Sequence, residues 1–154
     1  AVHLRSDLER KALFGVQPTT RLPPDAYGEP ISKTVYARLA ERAGRILRAG
    51  HSVILDAAYL KEDDRAALAT IADETGTRLE GLWLESPMDI LSTRVTTRRN
   101  DASDADADVV RAQAAKVVPP LSWTRIDASG EPDATLRAAL AAFDRVWEAA
   151  EPPR

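Results

Sequence analysis

Four short apolar runs alternate along this chain with stretches in which hydrophobic residues recur every three or four positions. Ser52-Val53-Ile54-Leu55-Asp56 places strand-favouring residues ahead of a single carboxylate, which predicts a strand buried on both faces, because parallel strands covered by helices read as unbroken apolar runs. Val2-His3-Leu4-Arg5-Ser6-Asp7 repeats the plan, and Leu79 to Leu84 and Trp123 to Asp127 supply two further strands. Helical spacing predicts helices from Leu8 to Phe14, capped by Ser6 or Asp7 and stopped by Gly15, and from Ile31 to Ala49, with Val35, Leu39, Ala43, Ile46 and Leu47 on one face. Asp63 to Thr75 follows, with Leu68, Ile71 and Ala72 inward and Gly76 at its end. Ser86-Pro87-Met88-Asp89 opens another helix that runs to about Arg98. The last two span roughly Asp108 to Lys116 and Pro132 to Ala150, the latter with Leu136, Leu140, Phe143 and Trp147 on one face.

Residues Val16 to Pro30 hold four prolines and a glycine, so they read as a long surface loop. A second irregular tract, Asn100 to Asp108, is built of small polar residues. Strands separated by single helices imply parallel pairing through right-handed crossovers. The expected class is therefore α/β, a three-layer αβα sandwich with a mainly parallel sheet. Four strands are few for such a sheet. Residues 1–150 form the expected domain and 151–154 a tail.

Composition narrows the function classes. The chain has 154 residues, 44% hydrophobic and 29% charged, the balance of a globular domain. Its net charge of -3 and pI near 5.4 give no electrostatic case for duplex nucleic acid or an anionic membrane. It contains no cysteine, which excludes disulfides, thiolate metal sites and a cysteine nucleophile, and makes the cytoplasm the default compartment. No apolar stretch approaches the roughly 20 residues of a membrane helix.

The candidate chemistry lies at the strand ends, where open α/β sheets bind ligands. Asp7 and Asp56 terminate two strands and point to one site. Asp7 and Arg10, three residues apart at a helix start, face one cleft if both turn inward, with Asp7 accepting a hydroxyl proton and Arg10 holding an anion. The competing reading is a helix cap beside an exposed arginine. Asp56 either holds Mg²⁺ or caps the following turn. Tyr59 and Arg65 follow closely enough to line the same cleft, unless Arg65 simply pairs with Glu62. Tyr27, on the proline-rich loop, is a further candidate for substrate contact. Arg94, Arg98 and Arg99 crowd one helix end, either as a phosphate clamp beneath a mobile lid or as complements to the helix dipole neutralised by Asp101 and Asp104. Asp101, Asp104, Asp106 and Asp108 lack the glycine and terminal glutamate of a calcium loop. His3 and His51 have no metal partner at useful spacing, and Trp83, Trp123 and Trp147 read as core. No Gly-x-x-x-x-Gly-Lys-Ser/Thr and no Gly-x-Gly-x-x-Gly occurs.

Four strings taken together resemble one family: His3 through Lys11, Val53-Ile54-Leu55-Asp56-Ala57-Ala58-Tyr59, Arg94 through Asp104, and Trp123 through Ser129. They are similar to the gluconate-kinase-like and zeta-toxin-like bacterial P-loop kinases, relatives of polynucleotide kinase and chloramphenicol phosphotransferase. Members often form the C-terminal half of proteins with an aminoglycoside-phosphotransferase-like front half. The resemblance implies a P-loop NTPase-like fold, with ATP and Mg²⁺ as cofactors and a first strand and Walker A loop preceding Ala1. That strand would lie between those bearing Asp56 and Leu79 to Leu84, so residues 1–154 alone are expected to form an incomplete fold. It also implies that Asp7 activates the acceptor hydroxyl, Arg10 binds its anionic partner, Asp56 takes the Walker B-like position and Arg94, Arg98 and Arg99 form the lid. Asp127 and Ser129 would lie in the turn near the adenine.

The expected function is ATP-dependent phosphoryl transfer to a hydroxyl of a small molecule or nucleotide. A non-catalytic nucleotide-sensing or interaction module on the same scaffold is the alternative. A receiver-type domain phosphorylated on Asp56 fits less well, since the acids and lysine around such a site are not arranged here.

Overall fold

The computed structural model describes residues 1–98, 101–114 and 119–148. The chain divides into two compact units, Ala1–Leu79 with Arg98–Asp104, and Glu80–Thr97 with Ala105–Arg154. Each is α/β with a parallel strand pair.

In the first unit, β1 (Val2–Arg5) pairs in parallel with β2 (Val53–Asp56), in a register that sets Arg5 beside Asp56. The chain passes without a loop from β1 into α1 (Ser6–Leu13). A 3-10 turn (Pro24–Tyr27), α2 (Glu29–Arg48) and α3 (Glu62–Thr75) complete the unit. Leu4 from β1 and Val35 and Leu39 from α2 form the buried cluster, with Val53 and Leu55 of β2 packed against it. Positions 35, 39 and 43 recur every four residues, so one stripe of α2 faces the strands, and each fully buried Val or Leu contributes about 1.5–3 kcal/mol.

Three expectations change here. Arg5 takes the N-cap position of α1 with no side-chain cap, which places Asp7 inside the first turn rather than at the cap. The second helix begins at Glu29, because Pro30 fits a first turn whose N–H groups have no helical partner. The β2 strand is not buried on both faces: Ile54 is 55% exposed. Successive strand residues point to opposite sides, α2 covers the side of Val53 and Leu55 with Leu4 of β1 packed beside them, and β2 has a ladder partner on one edge among the described residues.

In the second unit, β3 (Leu82–Glu85) pairs in parallel with β4 (Thr124–Asp127), followed by α6 (Pro132–Glu148); α4 (Met88–Thr97) and α5 (Ala107–Ala114) lie between the strands in sequence. The strand expected from Leu79 starts instead at Leu82. Gly81 lies so close to the Trp123 ring that a Cβ there would overlap it, and the ladder opens beyond that contact with Thr124 N donating to Gly81 O at 2.8 Å. Trp83 and Trp123 are half-buried and meet edge to face with centroids 6.4 Å apart, so they form a pair at the strand rim rather than a core. Leu84 is 59% exposed, the counterpart of Ile54. Along α6, Leu136, Leu140 and Phe143 are exposed while Ala142 is buried. The packed side of that helix is therefore about 100° around from Phe143. The side chain of Trp147 lies outside the described residues.

Candidate functional site

The parallel register brings β1 and β2 to a common end. Arg5 Nε lies 3.2 Å from Asp56 Oδ2, and His3 Nε2, two residues back on the same strand face, lies 3.5 Å from that oxygen. The Arg5 guanidinium also reaches Asp101 Oδ1 at 3.1 Å. The same Asp101 oxygen accepts the backbone N–H of Ser103 at 2.8 Å. That bond, with the Arg5 guanidinium, holds the Asp101 carboxyl below the usual aspartate range.

Asp7 sits one step beyond this network, with the Ser103 hydroxyl hydrogen-bonded to its carboxylate. Burial pushes the Asp7 carboxyl above its ordinary value, offset in part by Ser103 and Arg5, while the charge of Asp56 adds to the rise. Asp7 and Asp56 therefore feel one another, as the strand ends imply. Arg10 is buried and already engaged. Its Nη1 donates to Ala26 O at 2.7 Å, its Nη2 to Ser32 Oγ at 3.3 Å, and its guanidinium lies 4.8 Å over the Tyr27 ring. It thus ties α1 to the 3-10 turn and the start of α2.

Lys11 is almost wholly buried, an outcome nothing in the helical pattern foretells. Its ammonium donates to Thr20 O and lies 2.5 Å from Asp104 Oδ2. That oxygen also accepts Leu22 N at 3.0 Å and the Tyr27 hydroxyl. Burial alone would raise the Asp104 carboxyl, but these donors overcome it and hold it low. Burial, and then Asp104, push the Tyr27 phenol well up.

Beyond Asp56, Tyr59 is buried at φ +43°, a left-handed conformation that is costly for an aromatic residue. Its N–H donates to the Tyr36 hydroxyl at 3.3 Å, the two rings meet edge to face at 5.2 Å, and Arg65 Nη1 donates to its carbonyl at 2.6 Å. Arg65 therefore holds the loop after β2 through that carbonyl.

In the second unit, Arg94 spreads its guanidinium over three carbonyls, Ala128 and Gly130 at 2.5 Å and Ser129 at 3.3 Å. Asp127 Oδ1 accepts Ser129 N at 2.8 Å, and the Ser129 contacts hold the Asp127 carboxyl down. A cleft of about 250 Å³ opens at the ends of β3 and β4, lined by Glu85, Ser86, Pro87, Arg125 and Asp127.

The first unit thus gathers Asp7, Asp56, Arg10 and Tyr27, with Tyr59 and Arg65 on the loop after β2. The second holds Arg94, Asp127 and Ser129. Arg98 is exposed in the first unit, its charge acting on Asp101, and Arg99 lies outside the described residues. Sequence reasoning gave no role to Arg5, Lys11 and Ser103, and weighed Asp104 only as a partner of the helix arginines. The available signal was the excess of acid at 101–108, which needs cations from elsewhere. Among the described residues no three His, Asp or Glu are grouped to hold a metal, and no helix is long and apolar enough to cross a membrane.

Comparison with known proteins adds the family context. Residues 1–120 match the family model described as AAA domain. Uncharacterized proteins of Mycobacterium tuberculosis H37Rv and Mycobacterium bovis are 30% identical over 96 residues, 62% of this chain and 19% of their own length. The chain spans about a fifth of the curated relatives it matches. A gluconokinase from Sinorhizobium meliloti superimposes with a TM-score of 0.64 at 19% identity, over 96% of this chain and 79% of that one. A provisionally assigned kinase from Chloroflexus aurantiacus gives 0.69 at 17% identity, over 97% and 83%. The tunicamycin resistance protein of Deinococcus radiodurans gives 0.52 at 14% identity, over 92% and 81%. These likenesses show that the chain shares the α/β fold of these solved structures.

Proposed function

Because the chain belongs to the AAA domain family, we propose that it carries the acceptor side of a P-loop kinase that transfers the γ-phosphoryl of ATP to a hydroxyl of a small molecule or nucleotide. The observation that carries this reading is the Asp7 carboxylate, half-buried at a strand end, already hydrogen-bonded to a hydroxyl and sharing the Arg5 network with Asp56.

Asp7 is the proton acceptor. A positioned carboxylate contributes on the order of 10²–10⁴-fold, and the rise caused by burial makes it a stronger base than a solvated aspartate. Asp56 fits Mg²⁺, which characteristically takes one or two carboxylates together with substrate phosphates. Both of its ion-pair contacts fall on Oδ2, and its side chain is open to solvent. When bound, the ion neutralises charge on the transferring phosphoryl group. Arg10 serves by fixing Tyr27 and the 3-10 turn, and Tyr59 and Arg65 by shaping the wall after β2. Arg98 and Arg99 are the arginines of the lid, while Arg94 sets the Asp127–Gly130 turn, which this reading assigns to the adenine. The sequence has no Walker A string, so the phosphate cradle belongs in this reading to residues preceding Ala1, in a longer cytoplasmic protein with an aminoglycoside-phosphotransferase-like front half.

In the full-length protein, Asp7→Asn is expected to lower phosphoryl transfer by about 10²–10⁴-fold with ATP affinity unchanged. Full transfer by that variant removes Asp7 from the chemistry. The second reading, a non-catalytic nucleotide-sensing module, is favoured by Arg10 and Arg94 having committed their guanidinium groups to backbone carbonyls. It predicts ATP binding without turnover.

A further inference from the structure

Tyr27 is tethered on several sides and still keeps 37% of its surface open. Its hydroxyl donates to Asp104, the Arg10 guanidinium lies 4.8 Å over its ring, and the 3-10 turn that carries it is tied down where Arg10 Nη1 donates to Ala26 O at 2.7 Å. Asp104 also takes Leu22 N at 3.0 Å and the ammonium of Lys11, which reaches Thr20 O as well, so the stretch 20–27 is fastened to α1. Arg10 stands one turn beyond Asp7 on that helix, which fixes the ring on the side of α1 that bears the proposed base. A free loop tyrosine samples its rotamers within roughly nanoseconds. This ring is ordered before anything binds, so a ligand stacking on it has little side-chain entropy to offset.

Charge limits what sits there. The Arg and Lys side chains of the β1–α1 stretch are all engaged: Arg5 by Asp56 and Asp101, Lys11 by Asp104 and Thr20 O, and Arg10, only 6% exposed, by Ala26 O and Ser32 Oγ. Arg10 is therefore not available as the anion holder that its spacing from Asp7 suggested. Asp56, Asp101 and Asp104 belong to this network, and Asp7 stands on the chain between Arg5 and Arg10. An acceptor with a carboxylate or phosphate would meet like charge there, and no cation of the stretch is left to receive it.

We infer that the acceptor is a ring alcohol without negative charge, of the sugar type, whose C–H face lies on the Tyr27 ring while one hydroxyl turns to Asp7. The inference rests on the kinase reading above and narrows its acceptor, setting aside nucleotides and sugar acids. A saturated ring offers a flat C–H face that packs on an aromatic by dispersion, and hydroxyls around its rim. Ionised carboxylates only accept hydrogen bonds, so a surround of them suits a ligand rich in O–H donors. In the transfer, the acceptor oxygen bonds to the γ-phosphorus, the bond from that phosphorus to the β,γ-bridging oxygen breaks, and the nucleoside diphosphate leaves with the electron pair. The hydroxyl proton passes to the Asp7 carboxylate and from there to solvent.

The test gives the full-length protein Mg·ATP with matched pools: neutral hexoses and inositols, hexosamines, hexuronates and aldonates, and hexose phosphates with nucleoside monophosphates. Phosphorus NMR reads the diphosphate and any new phosphate ester. Transfer to the pools without negative charge is expected to exceed that to the anionic pools by about tenfold or more. With the best acceptor, Tyr27→Leu is expected to raise KM by about tenfold with kcat and ATP affinity held, the signature of lost uniform binding. Tyr27→Phe, which keeps the ring and loses only the bond to Asp104, is expected to restore most of that KM. The pool comparison needs no variant, so it decides even where Tyr27→Leu fails to fold. Preferred transfer to an anionic pool, ATP turnover that phosphorylates no pool, or an unmoved KM in a Tyr27→Leu protein that binds ATP overturns the inference and spares the kinase reading. A protein that turns over no ATP with any pool brings down both.

Discussion

Lys11 and Asp104, 93 residues apart, meet at 2.5 Å, with the lysine side chain 2% exposed and the aspartate 11%. Removing one member of such a pair leaves an uncompensated buried charge, which typically costs about 3–5 kcal/mol. Lys11→Met and Asp104→Ala in the full-length protein should each lower stability by about that amount, measured as a shift in urea midpoint. The double variant should cost less than the two singles summed.

The acid limb of stability follows from the same residues. Asp101 and Asp104 both lie below the ordinary 3.8, so the stability they contribute is complete above about pH 4 and is lost as the pH falls through their folded values. Asp7 acts in the opposite sense. Its raised carboxyl favours the folded state when protonated, and that contribution disappears as the pH rises through its folded value. Denaturation midpoints between pH 3 and 6 (roughly, the aspartate titration range) should therefore fall less steeply in Asp104→Asn than in the parent, and more steeply in Asp7→Asn.

Arg94 offers a test of a planar fork against a point charge. Lysine cannot reach three carbonyls at once, so Arg94→Lys should destabilise the Asp127–Gly130 turn almost as much as Arg94→Ala, by about 1–3 kcal/mol. Hydrogen exchange of the 127–130 amides reports it. Protection equal to the parent in Arg94→Lys would mean the fork does not hold the turn.

Gly81 is required by proximity. A methyl group there would enter the Trp123 ring, so Gly81→Ala should cost about 1–3 kcal/mol and change the near-ultraviolet dichroism of the Trp83–Trp123 pair. An unchanged spectrum would mean the ring moves aside freely.

What could be read from the sequence is what depends on local pattern. Val53–Asp56 begins and ends as the apolar run predicts, and α3 closes at Gly76, which adopts the left-handed φ of +61° that a helix stop favours. The ladder itself sets Arg5 opposite Asp56, and the charge of Asp56 reaches Asp7 two residues further on. Pairings across the chain were not readable. Asp101 feels the charge of the nearby Arg98, in keeping with one of the two readings of that helix end, but its ion pair is with Arg5 and that of Asp104 is with Lys11, which sequence distance hides. Nothing in the sequence singles out Lys11, since periodicity cannot distinguish an exposed lysine from one that meets a carboxylate inside. The exposure of Ile54 and Leu84 was equally hidden, because an unbroken apolar run reports a strand's affinity for cover, not whether cover is present.

Glu9, two residues beyond Asp7, is buried with Arg38 Nε 2.8 Å from Oε1 and Arg42 beside Oε2. A helix of only 8 residues has little of its own to stop it rolling about its axis. The two guanidinium groups of α2 act as a keyway, and since Asp7 rides on the same short cylinder, the bearing of its carboxylate is set by a carboxylate on the far side.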